Sequence, residues 1–172
     1  MNLYFIHHIL KIFMKKKFIS LYTDIATRVA EMSSARRLKV GAIVVKNDRI
    51  ISLGYNGTPA GWDNNCEDEI VETYSHYEGT VHKIKLVTKP EVLHAESNAI
   101  AKLARNANSG LGAELFVTHS PCIECAKLIY QSGMERVWFN TAYRSNDGIE
   151  FLEKSGIEVI EIKKGEVTCG RK

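Results

Sequence analysis

The spacing of apolar positions changes several times along the chain, and each change marks an element. From about Lys17 to Met32, apolar residues recur at helical spacing (Ile19, Tyr22, Ile25, Ala26, Val29), which predicts a first helix. "KVGAIVV" and "IISLGYN" are β-branched apolar runs joined by "KNDR", an Asn-Asp turn, and predict a hairpin. Residues 57–92 lose the pattern and read as polar and irregular, with Gly and Pro near both ends. "HAESNAIAKLARNA" is amphipathic and helical, ending near "NSGLG". "AELFVTHS" predicts a strand. "PCIECAKLIYQSG" predicts a helix with Pro in its first turn and Gly at its end. "RVWFN" predicts a strand, "DGIEFLEKSG" a short helix stopped by Gly, and "IEVIEIK" a last strand. After the hairpin, helix and strand alternate, so helices should cover both faces of a mixed sheet. No internal repeat, low-complexity run or Pro/Gly-rich linker divides the chain, which points to one domain.

Composition narrows the class. With 172 residues, 45% hydrophobic and 25% charged, the chain fits a soluble globular domain with a substantial core. A net charge of +3 does not suggest the concentrated basic face of a nucleic-acid binder, and no nucleic-acid partner is expected. Four cysteines are too few for a disulfide scaffold; Cys66 and Cys169 stand alone in sequence, and a reduced, cytoplasmic setting fits best. The opening "MNLYFIHHILKIFMKKKF" is apolar but broken by Lys11 and by Lys15, Lys16 and Lys17. It falls short of the roughly 20 apolar residues that span a bilayer, and its charges follow the apolar run, the reverse of a signal peptide. No membrane partner is expected. Residues 1–16 read as an extension, either an upstream start with Met14 opening the functional domain or an apolar arm packed on the domain or a neighbouring subunit. Residues 17–172 read as the single domain.

The candidate chemistry begins at Cys122 and Cys125. A Cys-x-x-Cys pair at a helix start has lowered thiol pKa values, because the helix N-terminus favours thiolate. That suits a metal or disulfide exchange, and two small apolar residues remain the bland alternative. A thioredoxin-like redox pair would follow the first strand of its domain, whereas this pair follows the third. A metal needs more ligands, and "LHAESNAI" offers His94, with Glu96, at the head of another helix. The pattern His-x-Glu … Pro-Cys-x-x-Cys is the signature of zinc-dependent nucleobase deaminases. His94, Cys122 and Cys125 would supply one nitrogen and two thiolates, leaving zinc's fourth tetrahedral position for water. Zinc brings such a water's pKa toward neutrality and makes hydroxide available for attack on a nucleobase. Glu96, two residues from a ligand, would take the water's proton and pass it to the ring nitrogen and then to the leaving ammonia. Two helix N-termini facing the metal would offset the thiolate charge. The alternative is a closed structural site with Cys66 or another His as fourth ligand.

Four segments carry a more specific resemblance: "KVGAIVVKNDRIISLGYNGTPAGWDNNCE", "LHAESNAIAKLAR", "LFVTHSPCIECAKLIYQSGMERV" and "YRSNDGIEFLEKSGIEV", together about residues 17–162. They resemble the deoxycytidylate (dCMP) deaminases of the cytidine deaminase-like superfamily, especially the short phage and bacterial kind. The resemblance implies a three-layer α/β/α sandwich on a five-stranded mixed sheet, order 2-1-3-4-5. It implies one catalytic Zn2+ per chain and hydrolysis of dCMP to dUMP, which supplies thymidylate precursor. Asn56 would meet the sugar hydroxyl. Val40, Gly41 and Ala42 would wall the pyrimidine. The Ala95 N–H would meet the ring carbonyl, the Ser120 carbonyl the exocyclic amine, and Tyr143 the sugar and phosphate. Arg36, Arg37 and Lys39 are the candidates for the phosphate cation. The family's regulation implies dCTP activation and dTTP inhibition, with Mg2+ accompanying the effector, at a site between subunits of a homo-oligomer, a hexamer. Tyr55, Asn56, Gly57, Thr58, Gly61, Lys102 and Arg105 are the effector candidates. Lys102 departs from the aromatic residue of some phage relatives, which puts the regulation in doubt. Cys66, His76 and His82 are candidates for a second, structural zinc. A tRNA adenosine or free-nucleoside deaminase shares the zinc core, and a non-catalytic, zinc-stabilised nucleic-acid-binding module is the reading from another class.

Overall fold

The computed structural model describes residues 14–77 and 79–163, the His76 side chain excepted. The element order is α1 (Lys16–Ala30), β1 (Gly41–Lys46), β2 (Arg49–Tyr55), β3 (Glu67–His76), β4 (Gly79–Thr88), α2 (Ala95–Ala104), β5 (Glu114–His119), α3 (Ile123–Gln131), β6 (Arg136–Thr141), α4 (Asp147–Lys154) and β7 (Glu158–Glu161). Five strands form one sheet in the order β2-β1-β5-β6-β7. With β3 and β4 set aside, this is the expected order 2-1-3-4-5. β1 runs antiparallel to β2 and β5, while β5, β6 and β7 are parallel, so the sheet is mixed.

The period-2 alternation of β1 explains the layering. Ala42 and Val44 join Leu115, Val117, Val137 and Phe139 in a core shared with α2, α3 and α4. Ile43 and Val45 join Phe116 and Trp138 under α1, with Tyr22, Ala26 and Val29. Both faces are covered, so the central strands read as continuous apolar runs rather than as alternating ones. The β1–β2 turn is tight, and Asn47 and Asp48 both take positive φ (51° and 57°), the geometry that residue pair tolerates. Met14 packs on the α1 core, Lys15 is the N-cap residue of α1 and Lys16 its first residue, and residues 1–13 of the extension lie outside the described residues, as does Cys169.

Two close approaches fix the helices that carry the candidate ligands. A Cβ on Gly54 of β2 would lie 2.2 Å from the Ala95 carbonyl oxygen, so the start of α2 rests directly on the strand. A Cβ on Gly148 of α4 would lie 2.1 Å from the Pro121 carbonyl oxygen, so α4 rests on the turn that leads into α3. At the opposite end of the parallel strands, buried Arg136 is paired with Glu158 (2.9 Å) and Glu114 (3.0 Å), so its charge is not buried alone.

Two expectations need correction. Residues 57–92 are irregular only at their two ends: between them β3 and β4 pair over ten residues each as an antiparallel ribbon of about 33 Å. Ile70, Val71, Tyr74, Val81 and Ile84 are exposed along it, so neither face imposes a burial pattern on the sequence. Pro121 is not in the first turn of α3. Cys122 is the N-cap residue, with extended backbone (φ −72°, ψ 169°), and Pro121 precedes it.

Candidate active site

The site lies where β5 ends and two helices begin, outside the carboxyl ends of the parallel strands. His94 is the N-cap residue of α2 and Cys122 that of α3. Neither side chain caps its own helix. They turn toward each other instead, and Cys125 joins them from the first turn of α3. His94 Nδ1 is 3.6 Å from Cys122 Sγ and 3.3 Å from Cys125 Sγ. The three ligand atoms lie within 4.8 Å of one another, the single such His/Cys group among the described residues.

The electrostatics fit a thiolate-binding metal. Hydrogen bonds from Cys125 and His94 hold the Cys122 thiol down at about 3. Cys125 is pushed up because it donates to Cys122 and is buried. His94 is raised because it donates to Cys122. The trio is therefore tied by shared protons that a divalent cation would replace. One imidazole and two thiolates are the donor set zinc takes when a fourth position stays open to water.

Glu96 stands in the first turn of α2 and is 4% exposed. Burial lifts its carboxyl above the usual carboxylate range. Its side chain faces the Cys125 thiol. It can hold a proton beside the ligand trio without being one of the ligands.

A cleft of about 560 Å³, counting its open mouth, leads to these residues. Val40, Asn56, Ala95, Ser120, Tyr143 and Arg37 all line it, as the sequence suggested. Gly41 and Ala42 stand behind that wall: Ala42 is fully buried in the core, and the Gly41 N–H donates to Thr118 Oγ1 (3.2 Å). Asn56 has structural work as well, since its Oδ1 accepts from the Val40 N–H (2.8 Å) and its Nδ2 donates to the Leu38 carbonyl (2.9 Å). Ser120 Oγ accepts from the Tyr143 N–H (2.7 Å), which brings the loop after β6 to the mouth.

The three basic candidates separate. Arg36 points outward to Glu69 (2.7 Å), and Lys39 is exposed away from the cleft lining. Arg37 lines the cleft, and its Nη2 donates to the Tyr143 hydroxyl (3.3 Å).

The sequence reading missed His119, which lines the cleft with Leu38, Thr88 and Val92. Thr118 Oγ1 accepts from the Gly41 N–H (3.2 Å) and shares a hydrogen bond with His119 Nδ1 (3.2 Å). Burial lowers the His119 pKa, which favours the neutral ring. The available signal was a histidine at the end of a strand, just before the Pro-Cys step.

The effector candidates divide as well. Gly57 and Leu93 exchange two backbone hydrogen bonds (3.1 and 2.9 Å), which ties the loop to the residue before His94. Asn98 reaches the Tyr55 carbonyl, and Lys102 Nζ reaches the Leu53 carbonyl (2.7 Å), so Tyr55, Asn56, Gly57 and Lys102 share one flank of α2. Thr58 Oγ1 is buried with no hydrogen-bond partner among the described residues. Gly61 takes a positive φ (86°) in an exposed turn, and Arg105 caps the far end of α2.

The expected second zinc site does not assemble from Cys66 and His82. Cys66 is buried at the ribbon base beside Ser34 Oγ (3.4 Å), whereas His82 pairs with Thr73 well along the ribbon and bonds its hydroxyl. His76 pairs in backbone register with Gly79 at the far tip. Among the described residues, no helix is long and apolar enough to cross a membrane.

A helix-headed His/Cys/Cys trio with a buried glutamate, set at the end of a mixed five-stranded sheet, defines a zinc-binding deaminase of the cytidine deaminase-like fold. The sequence profile of the cytidine and deoxycytidylate deaminase zinc-binding region matches residues 16–141, and the chain belongs to that family. Among curated relatives, the deoxycytidylate deaminase of Enterobacteria phage T4 is 35% identical over 179 residues, covering 84% of this chain and 90% of the phage protein. That of Mycobacterium phage D29 is 39% identical over 116 residues, covering 67% and 88%. Among solved structures, the dCMP deaminase of cyanophage S-TIM5, in complex with dCMP and dUMP, is 41% identical with a TM-score of 0.74. The match covers 87% of this chain and 99% of the cyanophage chain.

Proposed function

We propose that the chain hydrolyses dCMP to dUMP and ammonia. The observation that carries the nucleotide substrate is Arg37. Among the described residues it is the one Lys or Arg lining the cleft, and it stands beside Tyr143 with the ligand trio and Glu96 in the same cleft. A guanidinium so placed suits a 5′-phosphate, which it can meet through paired N–H donors. The phage relatives named deoxycytidylate deaminase, and the cyanophage structure holding dCMP and dUMP, support the same reading.

The chain's own residues divide the work. His94, Cys122 and Cys125 would hold zinc. Zinc supplies, when bound, the Lewis acidity that makes a water nucleophilic near neutral pH. Glu96 would take one proton from the attacking water and deliver it to the pyrimidine N3, then carry the second proton from the oxygen added at C4 to the departing amine, which leaves as ammonia. Its raised pKa suits a group that must both accept and release a proton. The Ala95 N–H and the Ser120 carbonyl orient the ring, and His119 lines the same wall. By the family resemblance, dCTP and dTTP act, with Mg2+, on the flank that holds Tyr55, Asn56, Gly57 and Lys102, in a hexamer.

Ammonia release measured on dCMP, CMP, dCTP, deoxycytidine and RNA, with and without dCTP and dTTP, tests the assignment. Turnover should be confined to dCMP. Turnover favouring RNA or deoxycytidine would overturn it. Arg37→Ala should raise KM for dCMP about tenfold or more, the worth of a lost charge-assisted contact, and collapse the preference for dCMP over deoxycytidine. An unchanged preference would remove Arg37 from the phosphate site.

A further inference from the structure

We infer that Glu67, at the base of the ribbon, is a positioning residue for phosphate recognition: its carboxylate fixes the Arg36–Arg37 backbone and so aims Arg37 into the cleft. The inference rests on the reading of Arg37 given above. Glu67 is 1% exposed, although it opens a ribbon whose other residues are mostly in solvent. A buried carboxylate needs donors, and here they are main-chain groups. The Arg36 N–H lies 3.2 Å from Oε1 and 3.1 Å from Oε2, and the Arg37 N–H lies 3.2 Å from Oε1. Two consecutive amides converge on one anion, a concave arrangement that holds the backbone in one conformation.

The neighbouring contacts extend the clamp. Ser34 Oγ meets Cys66 Sγ, and Ala35 packs with Cys66 and Val92 in a small buried cluster. Beyond Arg37, Asn56 holds the Leu38 carbonyl and the Val40 N–H. Arg37 is therefore rooted on both sides by residues far away in sequence.

The two acids of β3 sort the two arginines. Glu69 takes the Arg36 guanidinium at 2.7 Å, outside the cleft. Glu67 takes main-chain N–H groups and lies 3.9 Å from the Arg36 Nε, while the Arg37 guanidinium reaches Tyr143 and the cleft. A loop arginine that must be ordered on binding loses affinity to that ordering; one held beforehand does not. Glu67 thus acts on KM for a phosphorylated substrate, through Arg37, and not on the chemical step.

Steady-state kinetics on dCMP and deoxycytidine with Glu67→Ala, Arg37→Ala and the double variant test this, with zinc content and thermal melting recorded for each. Glu67→Ala should raise KM for dCMP about tenfold, change kcat by less than about twofold, and leave deoxycytidine kcat/KM within about twofold. Glu67→Gln, which keeps an oxygen for both amides, should recover most of the loss. In the Arg37→Ala background, Glu67→Ala should add little. An equal loss in both backgrounds, or an equal loss on deoxycytidine, means a purely structural role and overturns the inference. If Arg37→Ala collapses the dCMP preference and Glu67→Ala does not, the positioning role alone fails. If Arg37→Ala leaves the preference intact, the phosphate reading of Arg37 fails and takes this inference with it. Should Glu67→Ala not fold, Glu67→Asp, which draws the carboxylate back by one methylene, carries the same cycle. A rise of about threefold is then expected, and no rise overturns the role.

Discussion

Replacing Glu96 with glutamine is expected to lower kcat for dCMP by about 10²- to 10⁴-fold, the usual worth of a positioned general acid–base. The substitution keeps the shape of the side chain and removes only its capacity to exchange a proton. Glu96 is buried at the head of α2, and its carboxyl is raised mainly by desolvation. An uncharged amide suits that burial as well as the acid does, so the variant should fold and keep its zinc. Ammonia release, metal content and melting temperature, measured together, read the three effects apart. Turnover close to that of the parent would show that another group moves the proton. A loss of zinc along with activity would mean instead that Glu96 supports the ligands.

Stripping the metal with a chelator should bring turnover to background and lower the melting temperature. His94 and Cys122 are N-cap residues that cap neither helix, and Cys122 is held as a thiolate. Without a cation, the ligand trio at the starts of α2 and α3 is held by a thiolate and shared protons alone, beside the core the two helices share. A ligand at about 100 times its dissociation constant stabilises the fold by about 2.7 kcal/mol. For a chain of this size that corresponds to roughly 5–10 °C. Added zinc should restore both activity and melting temperature. Magnesium should restore neither, because it prefers oxygen ligands to thiolate. Full turnover in protein shown by elemental analysis to be free of metal would remove the metal from the reaction.

The core was legible because its signals are local. The Asn47–Asp48 turn is written in two adjacent residues. The sheet order follows from the helix–strand alternation together with the family resemblance, and His94, Glu96, Cys122 and Cys125 announce themselves at helix heads. The ribbon was not legible, since a strand shows its period only when one face is buried. Here Val71 and Ile84 on one face and Ile70, Tyr74 and Val81 on the other are all exposed. The choice among Arg36, Arg37 and Lys39 was hidden for a different reason. It depends on Glu67 and Glu69, about thirty residues downstream, and on Tyr143, far beyond them. His119 carried no pattern of its own and gained meaning only when Thr118, Gly41 and the cleft came together.

The contact of Gly148 with the Pro121 carbonyl bears on any attempt to engineer a hardier enzyme. Gly148 is a helical residue in α4, the kind of position where an exchange for alanine ordinarily adds about 0.5–1 kcal/mol by restricting the unfolded chain. Here the added methyl group would fall 2.1 Å from the Pro121 oxygen and 2.9 Å from the Cys122 carbonyl carbon. α4 would have to lift, and the backbone of Cys122, a proposed zinc ligand, would move with it. A design procedure that ranks substitutions by helix propensity would choose this site early and disturb the His94, Cys122 and Cys125 trio in doing so.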